Sequence, residues 1–250
     1  MRTPVALSIA GSDPSGGAGI QADLKTFHRF GVYGEAVVTL ITVQNTRGVH
    51  RVEVLDAQLV REQIHAVLED IPPHAVKTGA LGSRAITEVI AAADFPCPLI
   101  VDPVLASTSG APLGDALEIL LPRAFLVTPN LGEAALLSGL PVTDLDSMRR
   151  AAEKIASKGA RNVLIKGGHL EGEAVDLFFD GSFHKFTAPR IDTPHTHGTG
   201  CAYSAAITAE LAKGSTLMEA ICRAKEFLTA ALRSSPGLGT GAGPLNHFAR

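Results

Sequence analysis

Short apolar runs alternate with stretches of helical periodicity along the whole chain. Residues 5–10 are apolar and stopped by Gly11, as a buried strand would be. Ile20, Leu24 and Phe27 recur at helical spacing, and Gly31 stands where a helix end favours a left-handed residue. The β-branched run 37–43 predicts the next strand, and the alternation over 49–55 predicts a half-exposed one. Leu59, Ile64, Val67 and Leu68 mark a helix that stops before Pro72-Pro73. The alternation continues with a strand at 75–78, a helix at 84–93 and strands at 99–104 and 125–128 around a helix at 115–120. Helices at 131–138 and 145–158 precede a strand at 162–166. A hairpin pairs 175–179 with 183–187 across Asp180-Gly181, and helices at 202–213 and 216–233 close the pattern. Apolar strands alternating with amphipathic helices predict an α/β fold. Its mostly parallel sheet is covered on both faces and carries a small antiparallel edge. No repeat or linker divides the pattern, so a single domain over residues 1–250 is expected.

Hydrophobic residues make up 46% of the 250, enough for a sizeable core, and argue against disorder. The 22 Lys+Arg are outnumbered by 25 Asp+Glu, giving a net charge of −3. That balance speaks against a nucleic-acid partner and against a polybasic membrane surface. Cys97, Cys201 and Cys222 are odd in number and widely spaced, which fits a reducing compartment. The first apolar run breaks before a signal-peptide core is complete, and no later run could span a bilayer. The expectation is a soluble, cytoplasmic protein.

Candidate chemistry gathers where the predicted strands end. In His197-Gly198-Thr199-Gly200-Cys201, two glycines open a helix of small residues. A helix start of this kind offers free N–H groups and a positive dipole end, an anion site for which phosphate is the commonest guest. Cys201 falls in the first turn, where that field is expected to lower a thiol pKa. The same segment also reads as a glycine-rich turn with a buried Cys. Gly17 to Ala22 spell G-x-G-x-x-A, but the loop from Gly11 is long for a dinucleotide turn, and no acid ends the second strand. A glycine loop over a small ligand fits better, and a surface turn stays open. Asn130 and Glu133 have the spacing of a capping box, and Glu133 could equally stand near a magnesium ion. Lys166-Gly167-Gly168-His169 could bring a lysine to a phosphate or form a solvated turn. A P-loop motif is absent, as is a G-x-S-x-G elbow. His195, His197 and Cys201 lack a fourth ligand for zinc.

Residues 10–26, with Gly11-Ser12-Asp13-Pro14-Ser15-Gly16-Gly17-Ala18-Gly19, resemble the N-terminal signature of the hydroxymethylpyrimidine/phosphomethylpyrimidine kinases. Gln44-Asn45-Thr46, Lys77-Thr78-Gly79, Asp102-Pro103-Val104, Thr128-Pro129-Asn130, Lys166-Gly167-Gly168-His169 and the Cys201 motif follow in the family's order. The resemblance extends over nearly the whole chain. It implies the three-layer α/β/α fold of the ribokinase-like superfamily and a place in thiamine biosynthesis. It implies transfer of the ATP γ-phosphate to 4-amino-5-hydroxymethyl-2-methylpyrimidine and then to its monophosphate. Cys201 would be the base, with Gly198, Thr199 and Gly200 holding the transferring phosphoryl charge. Gln44 would hydrogen-bond the aminopyrimidine, with Asp23, Gly11, Ala18, Ala80 and Ala106 around it. Lys166, Asn130, His169 and Thr196 would meet the nucleotide, and Glu133 and Asp102 would organise Mg²⁺. A homodimer is also implied.

Two positions depart from the family pattern. Ala80 replaces a methionine, and Leu105-Ala106-Ser107 replaces Met-Val-Ala. Smaller side chains there would admit a larger ring, so a pyridoxal or pyridoxine kinase is the alternative. A non-catalytic vitamin-precursor-binding protein is a third reading, against which the intact Lys166, Glu133 and Cys201 stand. Residues 107–114 and 237–243 are glycine-containing lid candidates.

Overall fold

The computed structural model describes residues 3–104, 114–168 and 172–249. Strands β1 (Val5–Ser12), β2 (Tyr33–Asn45) and β3 (Gly48–Val54) are interleaved with helices α1 (Gly19–Arg29) and α2 (Ala57–Asp70). Then come β4 (Ala75–Thr78), α3 (Arg84–Ala92) and β5 (Leu99–Val101). A short α4 (Gly114–Leu117) runs into a 3₁₀ turn, Glu118–Arg123, before β6 (Leu126–Val127), α5 (Leu131–Ser138) and α6 (Leu145–Ser157). The chain continues through β7 (Val163–Ile165), β8 (Ala174–Phe179), β9 (Phe183–Ala188), α7 (Thr199–Ala212) and α8 (Leu217–Arg233). Among the described residues no helix is long and apolar enough to cross a membrane.

Among the described residues nine strands join one sheet in the order β3-β2-β1-β4-β5-β6-β7-β8-β9. The six from β2 to β7 are parallel, while β3 pairs antiparallel at one edge and β8 and β9 at the other. Side-chain alternation divides the core into two layers. Leu7, Ile9, Val76, Val101 and Val127 face α2, α3, α5 and α6. Ala6, Ala75, Ile100, Leu126 and Leu164 face α1, α7 and α8. This is the expected three-layer arrangement.

Helix α7 is buried around almost its whole circumference, as a helix without a polar face must be. Its Ala202, Ala205, Ala206 and Ala209 pack in the layer that contains Ala6 of β1 and Ala75 of β4. Side chains no larger than a methyl let the helix lie close to the sheet. The N-terminus of α7 is thereby delivered to the carboxyl ends of the central strands.

Three local expectations are corrected. The second strand begins at Tyr33 and runs to Asn45, longer at both ends than the 37–43 run expected. The β3 strand is exposed along nearly its whole length, because it is an edge with no helix beneath it. The helix expected at 115–120 is one α turn followed by 3₁₀ geometry. That 3₁₀ segment runs on to Arg123 and contains Pro122, which has no N–H to donate.

One buried ion pair stands between α1 and β4. Lys77 Nζ donates to both Asp23 oxygens at 2.8 and 2.9 Å, and Ser8 Oγ donates to Asp23 at 2.6 Å. Both charged side chains are fully buried. Burial pushes the Lys77 ammonium down, but Asp23 outweighs it and the net shift is upward. Removing one partner strands the other charge in the core. Lys77→Met is therefore expected to destabilise the fold by about 3–5 kcal/mol, and Lys77→Met/Asp23→Leu to recover most of that loss. Denaturant unfolding of the three proteins checks this; equal losses in single and double variants would contradict it.

Candidate active site

A cavity of about 380 Å³ opens at the carboxyl ends of β1, β2 and β4. That volume suits one small ring and its substituents. One wall is the loop after β1, with Gly11, Ser12, Asp13, Ala18 and Gly19. A second is the β2–β3 hairpin, which turns Leu40, Thr42, Gln44 and their cross-strand partners Val54, Val52 and Val49 inward. The register skips His50, so that Val49 lies opposite Gln44. Gly79, Ala80, Leu81 and Val104 close another side, and Cys201 completes the lining. Polar side chains are few, so each can orient a ligand.

Two helix N-termini converge on this cavity. Helix α1 starts at Gly19 after Ala18, which provides no side-chain cap. Helix α7 starts at Thr199 after Gly198, whose φ of 77° is left-handed. A Cβ on Gly198 would collide with the Gly17 carbonyl, so glycine is required there on both counts. Uncapped first-turn N–H groups and two positive dipole ends make the junction favourable for an anion.

Cys201 sits in the first turn of α7 and receives a hydrogen bond from Gly19 N–H. Its thiol is pushed up to about 11, contrary to the lowering expected from the helix field. Burial dominates. The positive charge of Lys77 opposes it, and the nearby Asp23 and Asp102 reinforce it. The group rests as a neutral thiol.

Beneath the same turn lies a charged cluster. Lys166 Nζ donates to Asp102 Oδ1 at 2.9 Å, and a Cβ on Gly200 would be 3.2 Å from that ammonium. Thr128 also donates to Asp102 Oδ1 at 3.3 Å, and Ser204 donates to Oδ2 at 3.0 Å. Burial pushes the Asp102 carboxyl up, but Lys166 and Lys77 win and hold it below its ordinary value. Asp102 thus has both oxygens engaged. Glu133 Oε2 accepts from Asn130 N–H at 2.7 Å, while Asn130 Oδ1 accepts from Glu133 N–H at 2.9 Å. The capping box at the start of α5 is real. Burial raises the Glu133 carboxyl to about 7, against the pull of Lys166. Among the described residues, no three His, Cys, Asp or Glu side chains form a metal cage.

Gly11, Ala18, Gln44, Ala80 and Cys201 thus share one cavity. Asp23 does not: it lies behind the wall, fully buried against Lys77, and is corrected from a pocket residue to a structural one. Thr196 is exposed, and its carbonyl accepts from Thr199 N–H. Ala106, His169 and residues 107–113 lie outside the described residues. The other lid candidate, 237–243, lies across the β2–β3 turn, where Gly241 N–H donates to Thr46 Oγ1 at 3.3 Å. Sequence reasoning missed Lys77, Ser204, Asp13 and His197. Asp13 accepts from Ser15 and Ala18 N–H groups and from His197 Nε2 at 2.8 Å, tying the β1 loop to the α7 loop. Both residues stood in quoted motifs, but neither spacing reveals contact between them.

The sequence pattern of the family described as phosphomethylpyrimidine kinase matches residues 13–246. The chain is 51% identical to a hydroxymethylpyrimidine/phosphomethylpyrimidine kinase of Rhizobium meliloti, over 99% of this chain and 98% of that protein. It is 49% identical over 97% of its length to the thiamine biosynthesis bifunctional protein ThiED of Geobacter sulfurreducens. It spans about half of that relative, 52%. Among solved structures, an ADP complex of Bacillus subtilis pyridoxal kinase superposes with a TM-score of 0.92 at 42% identity. That match covers 99% of this chain and 98% of the other. On the family pattern and these relatives, the chain belongs to the phosphomethylpyrimidine kinase family.

Proposed function

We propose that the chain transfers the γ-phosphoryl group of ATP to the hydroxymethyl oxygen of 4-amino-5-hydroxymethyl-2-methylpyrimidine, and then phosphorylates the monophosphate, in thiamine biosynthesis. The observation that carries this reading is a ring-sized cavity with Gln44 on one wall and Cys201, at the N-terminus of α7, on another. An amide both donates and accepts, which matches a ring nitrogen beside an exocyclic amine. The family name of the relatives supports the same substrate. Thiamine-precursor binding without catalysis does not fit a member of a kinase family that retains Lys166, Glu133 and Cys201.

In the proposed reaction the ring stands among Gly11, Ala18, Ala80 and Gln44. Its hydroxyl is aimed at the α7 turn. As the new O–P bond forms and the bond to the ADP oxygen breaks, the hydroxyl proton passes to Cys201 as thiolate. The N–H groups of Gly198, Thr199 and Gly200 hold the phosphoryl charge. Lys166 and Asn130, with Thr196 and His169, meet the nucleotide. Mg²⁺, which keeps most of its waters and takes few carboxylates, would offset phosphate charge there. Glu133 fits that ion through its second oxygen. Asp102, with both oxygens engaged, instead holds Lys166 in place. The outer face of the β2–β3 hairpin exposes Ile41 and Val43, which supports a homodimer through that edge. We place the enzyme in the cytoplasm, where its nucleotide is found and its cysteines stay reduced.

Pyridoxal phosphorylation is the second reading. Ala80 leaves room on the cavity wall, and the Bacillus subtilis structure is named pyridoxal kinase. A mass-spectrometric product assay with ATP, Mg²⁺ and each of three acceptors separates the two. Phosphate added to both hydroxymethylpyrimidine and its monophosphate is expected; phosphate added to pyridoxal alone would replace the first reading with the second.

The raised Cys201 thiol sets the pH dependence. Thiolate is the active form and its fraction grows as pH rises toward about 11. The ratio kcat/KM is therefore expected to climb from pH 7 to 9, because it follows the free enzyme's groups. Cys201→Ala should flatten that rise and lower turnover by roughly 10²–10⁴. A flat wild-type profile with little loss in Cys201→Ala would remove the base role. Lys166→Met should raise the KM for ATP more than that for the pyrimidine, as steady-state kinetics with each substrate varied would show. An unchanged KM for ATP would detach Lys166 from the nucleotide.

A further inference from the structure

His197 stands where three segments distant in sequence meet. Its ring Nε2 is 2.8 Å from Asp13 Oδ2 in the loop after β1 and 3.3 Å from the Gln44 side-chain amide in β2. Its backbone N–H donates to the Gly243 carbonyl at 3.1 Å, and a Cβ on Gly17 would strike its ring. The imidazole is therefore fixed from several sides.

The partners of Asp13 decide which ring nitrogen carries the proton. Asp13 Oδ1 accepts from Ser15 N–H at 2.9 Å, and Oδ2 accepts from Ala18 N–H at 2.8 Å. Ser15 Oγ donates at 2.7 Å as well. Two of these donors are backbone amides, which cannot reverse. The carboxyl is acceptor-only and ionised, held at about 2 against burial by these bonds and by His197. An ionised oxygen 2.8 Å away cannot face an imidazole lone pair. Nε2 must carry hydrogen and donate to Asp13.

That assignment constrains Gln44. An amide N–H placed 3.3 Å from a nitrogen that is itself a donor finds no lone pair. The contact is satisfied only with the amide turned so that Oε1 faces His197 and shares its N–H, the –NH₂ group pointing the other way. Amide orientation is always settled by the neighbouring network in this manner. Gln44 is also on the cavity wall, whereas His197 is not part of the lining.

We propose that Asp13 and His197 form a positioning pair that fixes the Gln44 amide in one orientation, and so dictates which hydrogen-bonding edge of a heteroaromatic ring the cavity accepts. The proposal deepens the pyrimidine reading and rests on it. Oε1 has a second lone pair, available to an exocyclic amine on the His197 side, and the –NH₂ group donates to a ring nitrogen on the far side. An edge with donor and acceptor in that order is matched. An edge that lacks the amine leaves Oε1 half-satisfied, and an edge with a second acceptor there meets a carbonyl oxygen.

The test compares two ligands, 4-amino-5-hydroxymethyl-2-methylpyrimidine and the same ring with hydrogen in place of the amine. Dissociation constants are measured by calorimetry on the full chain, with the thermal midpoint recorded for each variant. The wild type is expected to prefer the amine-bearing ring by about tenfold, the worth of one hydrogen bond. His197→Leu should lose most of that preference by weakening the amine-bearing ligand selectively, alongside the lower thermal midpoint that loss of its bond to Asp13 brings. His197→Asn, which keeps an N–H donor, should retain part of it. Asp13→Asn frees Nε2 to accept, and should reduce the preference by about threefold even if His197→Leu does not fold. A preference unchanged in His197→Leu or Asp13→Asn would overturn the proposal. So would equal weakening of both ligands, the mark of a purely structural residue. A wild type that binds both rings equally overturns it and leaves the kinase reading intact, whereas a wild type that binds neither ring overturns both.

Discussion

The close seating of helix α7 on the centre of the sheet governs the rest of the molecule. It is possible because the residues there are small: Ala202, Ala205, Ala206 and Ala209 share one core layer with Ala6 and Ala75. A helix carrying larger residues would stand further off, and its first turn would miss the strand ends. With the helix seated, Gly198 touches Gly17, and Cys201 comes within reach of Gly19 N–H. Lys166 comes to lie under Gly200. Packing and chemistry are fixed by the same small residues.

The electrostatics follow from that seating. Seating the first turn of α7 at the strand ends brings two cations, Lys77 and Lys166, beneath a junction of two helix starts. Each cation is held by a carboxylate, Asp23 and Asp102, so neither is free to collapse onto an incoming anion. The arrangement is organised before any ligand arrives, which is what phosphoryl transfer requires when most of its catalysis is positioning. The cost is a raised thiol. Burial that brings Cys201 to the cavity also disfavours its thiolate, and neither Lys77 nor the Gly19 N–H compensates.

Much of the fold was legible along the chain because strands covered on both faces must be apolar and amphipathic helices must show their period. Element order and the antiparallel hairpin at 175–187 follow from that rule and agree with the structure. The length of β2 did not, since an edge hairpin that walls a cavity need not be apolar on a fixed side. Within the site, Gly11, Ala18, Gln44, Ala80 and Cys201 were found through family motifs and do share a cavity. Asp23 was misplaced because a motif shows that a residue matters and not whether it faces the ligand or the core. Asp13 and His197 escaped notice because their contact spans 184 positions. No periodicity reports a contact of that kind.

The central claim is that the β1 loop, the β2–β3 hairpin and the α7 turn act as one binding surface. Amide hydrogen exchange measured with and without saturating 4-amino-5-hydroxymethyl-2-methylpyrimidine tests it most directly. The account predicts that peptides covering 11–22, 40–52 and 196–204 become protected together, while α6 and β9 exchange as before. Protection confined to one of the three segments, or appearing on a different face of the sheet, would contradict it.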